Sequence, residues 1–170
     1  MMKKEIITLE KITYKNYIKV IWGLQVFPKQ KHFVAANKSS LAEAYVAITN
    51  GGHALPFAIC RNEKPIGFLM IGYDCPDELL EEGDPEWVKG YCIWRFMIDK
   101  RYQGRGYGRK AMQLALDYVK TYPCGKNKYC WLSYEPENEV ARKLYQSFGF
   151  VEHPEHYKEG QEMPALLILE

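Results

Sequence analysis

In the stretch 102-YQGRGYGRKAM-112, Gly104, Gly106 and Gly108 alternate with other residues, and Arg105, Arg109 and Lys110 stand among them. Glycine lets a backbone turn and approach a ligand with no Cβ in the way. Just before a helix, such a loop aims unpaired N–H groups and the positive end of the helix dipole at an anion, and phosphate is the natural guest. Lys100 and Arg101 add long-range attraction. Two phosphate loops are excluded by spelling, because the Walker pattern and the G-x-G-x-x-G fingerprint both require glycine where Arg109 stands. Other reactive side chains point to less. Five cysteines with no C-x-x-C pair and no evident basic partner offer no activated thiol. His153 and His156, in H-P-E-H, lack the further ligands a metal site needs. Tyr145, beside Leu144, Phe148 and Phe150, reads by position alone as core.

The elements that must hold the glycine loop follow from hydrophobic period and capping signals. Residues 5-EIITLEKI-12 suit a first strand, and Thr13 can cap a helix through Tyr17, Val20, Ile21 and Leu24. Ser40 and Glu43 have capping-box spacing and open a second helix, stopped by 50-NGG-52. The runs 55-LPFAIC-60 and 65-PIGFLMIG-72 predict an antiparallel hairpin, and 90-GYCIWRFMI-98 a central strand. After the glycines, Met112, Leu116 and Val119 recur at helical spacing. The residues 128-KYCWLSY-134 predict a strand, 137-ENEVARKLYQSFGF-150 a helix ending near Gly149, and 162-EMPALLILE-170 a closing strand. The order β-α-α-β-β-β-α-β-α-β-β describes a mixed α/β single domain over residues 1–170.

Composition narrows the class. At 170 residues the chain is long enough for one well-buried core, and 47% hydrophobic with 26% charged residues is globular usage. A net charge of +2 is too mild for bulk nucleic-acid binding. Strand and helix patterns flank the glycine loop directly, which argues against a floppy basic RNA-binding segment. No apolar run approaches a membrane span, and the N-terminal lysines are not followed by an apolar leader. With an odd number of unpaired cysteines, these features predict a cytoplasmic protein without membrane or nucleic-acid partners.

The run Gln103-Gly104-Arg105-Gly106-Tyr107-Gly108 resembles the Q/R-x-x-G-x-G/A motif of the GCN5-related N-acetyltransferases. A second stretch, 138-NEVARKLYQSFGF-150, is similar to that family's N-x-x-A-x-x-L-Y-x-x-x-G-F signature. The order of strand, helix and glycine agrees from about residue 55 to the end. The resemblance implies a mixed, mostly antiparallel sheet whose central parallel strands, 90–98 and 128–134, splay apart around acetyl-CoA. It implies that the backbone of Phe96, Met97 and Ile98 pairs with the pantetheine arm. The amides from Gly104 through Arg105, Gly106, Tyr107 and Gly108 to Arg109 would hold the pyrophosphate, with Gln103 leading the loop. Asn138 would contact the pantetheine, and Tyr145 would face the sulfur. No metal is implied.

An amine attacking a thioester must first be neutral, and alkyl amines resemble lysine, with a pKa of about 10.4. A site lowers that value by desolvation or removes the proton with a base, often through water. The oxyanion then needs a donor, for which a strand N–H near Met97 or Ile98 is the natural candidate. The departing thiolate needs a proton, which the Tyr145 phenol can give, its reference pKa being about 10. Many polyamine-acting relatives carry a carboxylate on the strand before the loop, but 93-IWRF-96 contains none. Glu135 offers only a loop carboxylate for a water-mediated role.

The segment 74-DCPDELLEEGDPEW-87 holds seven of the 21 acids and no Lys or Arg, so it carries −7 against +9 for the rest of the chain. That polarity suits a phosphate-bearing donor on one side and a polycation on the other. The whole pattern resembles bacterial spermine/spermidine acetyltransferases of the diamine type. It implies direct acetyl transfer in a ternary complex to a primary amine, with spermine or spermidine as the leading acceptor. An aminoglycoside, an amino acid, a protein lysine or N-terminus, and a non-catalytic acyl-CoA sensor are the alternatives. Dimers are common among such relatives, so a homodimer is a family expectation.

Overall fold

Alternation and helical stripes in the chain resolve into one twisted sheet with helices on both faces, seen in a computed structural model that describes residues 5–169. The leading lysine pair and the final residue of the expected closing strand lie outside the described residues. In chain order the elements are β1 Ile7–Lys11, α1 Tyr17–Gly23, α2 Asn37–Thr49, β2 His53–Arg61, β3 Lys64–Tyr73 and β4 Tyr91–Ile98. There follow α3 Tyr107–Val119, β5 Tyr129–Tyr134, α4 Glu139–Gln146, β6 Val151–Glu152 and β7 Met163–Ile168. This is the expected order. The sheet runs β1-β2-β3-β4-β5-β7-β6, antiparallel throughout except between β4 and β5.

The expected hairpin turns at Asn62 and Glu63, both left-handed, the geometry that matches strand twist. Two apolar layers sandwich the sheet. On one face Tyr107, Ala111, Met112, Ala115, Leu116 and Val119 of α3 form a single buried stripe against Ile59, Leu69, Ile93 and Leu132. On the other face α1 and α2 supply Val20 and Ala44, packed with Ala58, Phe68 and Met70.

Two helix starts differ from expectation. Thr13 does not cap α1; the cap position is Asn16, whose Oδ1 instead accepts from the Thr13 amide at 2.8 Å. The Ser40–Glu43 box does not form, because α2 begins a turn earlier with Ala36 in the cap position. Other contacts took both residues: Ser40 Oγ donates back to the Ala36 carbonyl, and Glu43 pairs with Arg95 on β4 at 2.8 Å. The buried Asn37 holds the Val20 carbonyl, tying α2 to α1. The last long helix is also shorter than its pattern, with Gly149 at φ +90° turning the chain into β6.

Candidate active site

The parallel pairing of β4 with β5 covers only Tyr91–Cys130 and Cys92–Trp131. Trp94 is then an extra residue in β4, since Met70 faces Arg95 and Ile71 faces Ile93. Beyond that bulge the strands diverge, and the gap opens a cleft of about 520 Å³. Backbone groups alternate along a strand. The Asp99 amide donates to the Ile66 carbonyl on the β3 side, while the Ile98 carbonyl accepts from Gln103 Nε2 at 2.9 Å on the other. Phe96 and Ile98 therefore present their main chain to the gap. Met97, expected to join them, turns its own main chain toward β3: a Cβ on Gly67 would lie 2.5 Å from the Met97 carbonyl oxygen.

The glycine loop forms the far end of the cleft. Gly104 and Gly106 have φ of +72° and +77°, which only glycine adopts cheaply, and a Cβ at either would meet nothing within 4 Å. The first amides of α3, at Tyr107, Gly108 and Arg109, have no carbonyl a turn behind them within the helix. A left-handed loop, open space above it and free helix-start amides together suit a phosphate. Gln103 fixes the loop by exchanging two hydrogen bonds with Gln30, at 3.0 and 3.1 Å.

Ten of the sequence-predicted site residues line this cleft: Phe96, Met97, Ile98, Gln103, Gly104, Gly106, Tyr107, Gly108, Asn138 and Tyr145. Arg105 and Arg109 do not. Arg105 is exposed, and Arg109 reaches across to Ser147 Oγ at 2.9 Å and lies over the Phe148 ring. The Tyr107 phenol also points elsewhere, donating to Glu5 at 2.9 Å and accepting from Arg61 at 3.1 Å. Asn138 is the N-cap of α4, its Oδ1 accepting from the Ala141 amide at 3.3 Å.

Two phenols stand near the divergence. The Tyr134 hydroxyl donates to Glu152, which Arg142 holds from its other side at 2.9 Å. That proton is committed. Burial and the Glu152 carboxylate push the Tyr134 pKa well up, and the bond from Tyr134, with Arg142, holds Glu152 low. Tyr145 is 8% exposed, with its ring packed on Tyr134 and Phe150. Its hydroxyl has no partner among the described residues. Burial, and then Glu162, raise its pKa far above neutrality, so it remains a proton donor.

The cleft also contains residues that sequence reasoning passed over. Glu162 is the one carboxylate among its lining side chains, and Ser133 of β5 donates its hydroxyl to it. Glu135, the carboxylate weighed from sequence, is not in the lining. The wall opposite includes Gln30, His32, Phe33 and Val34 from the connection between α1 and α2, and His32 lies 3.6 Å from Glu137 across the opening. Arg95, also in the wall, spends one guanidinium nitrogen on Glu43 and one on the Trp94 carbonyl, leaving Nε buried without a partner among the described residues.

The acidic segment, expected near the acceptor mouth, contributes no residue to the cleft lining. Lys89 holds Asp74 and Asp77, and Lys158 holds Glu81. The Cys92 thiol, pushed well up by burial, also feels Cys130, Arg95, Cys75 and Glu162. Burial likewise drives Cys60 and Cys130 up to about 12, so neither is a thiolate near neutrality. His153 and His156 pack their rings about the Trp87 indole, and no three potential ligand side chains converge among the described residues.

A splayed parallel strand pair beside a left-handed glycine loop defines a class. Residues 21–150 match the Acetyltransferase (GNAT) family, and the chain belongs to it. The spermine/spermidine N(1)-acetyltransferase of Bacillus subtilis (strain 168) is 29% identical over 147 residues, covering 85% of this chain and 87% of the relative. Among solved structures, an acetyltransferase from Thermus thermophilus superposes with a TM-score of 0.65 at 16% identity, over 96% of this chain and 97% of the other. A Bacillus subtilis acetyltransferase in complex with CoA superposes at 0.61 with 13% identity, over 98% and 100%.

Proposed function

We propose that this chain moves the acetyl group of acetyl-CoA to a primary amine, with a polyamine of the spermine/spermidine type as acceptor. One observation carries the reading: a free β4 edge, a left-handed anion loop and an uncommitted phenol open into the same cleft. The edge at Phe96 and Ile98 fits an amide-bearing arm that adds to the sheet as a strand would. The Gly104–Arg109 amides fit a pyrophosphate, with Arg105 free to approach it from solvent. The bound thioester supplies an activated acyl carbon next to a good leaving group. Around that carbon, the Phe96 or Ile98 N–H donates to the oxyanion. The Tyr145 hydroxyl protonates the departing sulfur. With every thiol pushed up by burial, no covalent acyl-cysteine is needed, and transfer runs directly from donor to acceptor in a ternary complex.

The acceptor assignment is supported by the B. subtilis relative and by the −7 charge gathered in residues 74–87. Purified protein mixed with acetyl-CoA and assayed for thiol release tests it against spermine, spermidine, putrescine, an aminoglycoside and a lysine peptide. Turnover confined to spermine and spermidine is the expected result. Turnover confined to the peptide or the aminoglycoside would overturn the polyamine assignment. Tight acetyl-CoA binding with no acceptor used would overturn catalysis in favour of a sensor.

A further inference from the structure

The chemistry so far lacks a group to take a proton from the incoming ammonium. Strand β4 carries no acid at the divergence, and Glu135 stands outside the cleft. Glu162 is the only carboxylate in the lining, and it enters from β7's leading end, just before the Met163–Tyr134 register pair. Its carboxylate is held by the Ser133 hydroxyl on the neighbouring strand, and no cation lies within ion-pair distance of it among the described residues. A carboxylate steered by a hydroxyl and left without a counter-ion at the mouth of a cleft is a receptor for a cation.

From this placement we infer that Glu162 receives the ammonium group of the acceptor and takes its proton; the inference rests on the acyltransferase reading above.

The charged and titratable groups that share the cleft with Glu162 agree with this role. From α4 comes Tyr145, so the acid and the base line the same cleft, and the Glu162 charge helps raise the Tyr145 pKa. From β4 comes Arg95, whose charge is already taken by Glu43. From β5 comes Tyr134, whose proton is committed to Glu152. From the α1–α2 connection comes His32, drawn toward Glu137. Glu162 is exposed, so a proton it accepts passes on to solvent.

The balance closes without another reactant. An ammonium N–H bond breaks, its electron pair stays on nitrogen, and the proton goes to Glu162 and then to water. The freed pair forms the C–N bond at the acyl carbon while the C–S bond breaks toward sulfur. Sulfur takes the proton of Tyr145, and the second nitrogen proton restores the phenol through water. One proton is released in total.

Glu162→Gln keeps size and the contact with Ser133 but cannot accept the proton. With spermidine at pH 7 its kcat/KM should fall about 10²-fold or more, while acetyl-CoA affinity by calorimetry stays at the wild-type value. The deficit should shrink as pH rises from 7 to 9.5, because the neutral amine grows about tenfold per pH unit below its pKa of about 10.4. Glu162→Asp should recover part of the loss. A Glu162→Gln enzyme with wild-type kcat/KM and an unchanged pH profile overturns the assignment while leaving the acyltransferase reading intact. A wild-type protein that binds acetyl-CoA yet acetylates no amine overturns that reading, and this inference with it.

Discussion

Residue by residue, the sharpest contrast is between two neighbouring tyrosines that differ in what holds their protons. Tyr134 gives its hydrogen bond to Glu152, whereas Tyr145 keeps its own free in the cleft. Tyr145→Phe should therefore lower kcat about 10²-fold with acetyl-CoA affinity unchanged, measured by steady-state kinetics beside calorimetry. Tyr134→Phe should cost about 1 kcal/mol of stability and leave kcat within a few-fold. Equal kinetic losses in both variants would mean that the free hydroxyl is not what matters. Gly106 makes a second case. Its φ of +77° costs an alanine about 1–2 kcal/mol, and the added methyl would stand where nothing lies within 4 Å. Gly106→Ala should thus weaken acetyl-CoA binding more than its thermal unfolding reports.

Among the elements, the cleft exists because β4 is held firmly on one edge and released on the other. Gly90 lets the strands start together, since a Cβ there would lie 2.6 Å from the Tyr129 carbonyl oxygen. After Cys92 nothing continues the ladder, and the bulge at Trp94 turns the strand. Just past β4, the wholly buried Asp99 accepts from the Gln25 amide at 2.8 Å and from the Arg101 amide and guanidinium at 2.7–2.9 Å. It thereby ties the approach to the glycine loop to the end of α1. Burial alone would raise its pKa, but these hydrogen bonds outweigh it and hold the carboxyl below its usual value. A depressed carboxylate pKa contributes stability that is present above the unfolded value of about 3.9 and is lost as pH falls through the folded value. Asp99→Ala should remove about 2 kcal/mol, a melting shift of roughly 2–4 °C for each kcal/mol. It should also flatten acid unfolding below about pH 4, followed by circular dichroism. An unchanged acid limb would show that other carboxylates, Glu152 among them, set it.

Across the whole molecule, charge is divided. The basic loop and the −7 segment occupy different parts of the structure, with Lys89 and Lys158 neutralising only part of the acid. If the remaining acids draw in a polycation, raising salt from about 50 to about 500 mM should raise KM for spermine more than kcat changes, because the Debye length contracts toward about 4 Å. A salt-independent KM would detach the segment from the acceptor. Ligand linkage gives an independent check on the cleft: acetyl-CoA at about 100 times its dissociation constant should add about 2.7 kcal/mol, visible as a rise of several degrees in the melting temperature. No described helix is long and apolar enough to cross a membrane.

Element order, family membership, the left-handed glycine loop and an inward-facing Tyr145 were all legible before folding, because each is written in local spacing. Glycines at 104 and 106 need only their own φ to make a cradle, and Tyr145 needs only the α4 stripe to face inward. Packing across the sheet supplied what no spacing encodes. It chose which edge of β4 is open, so that Phe96 and Ile98 present their main chain to the gap while Met97 turns to β3. It turned Tyr107 and Arg109 to distant partners, and drew Ser40 and Glu43 away from a cap that their spacing favours. It also brought Glu162 to Ser133, 29 residues earlier in the chain. A carboxylate at the start of a closing strand resembles any solvated acid until the partner strand sets a hydroxyl beside it and a cleft before it. Register is a property of two strands together, and neither strand's sequence contains it alone.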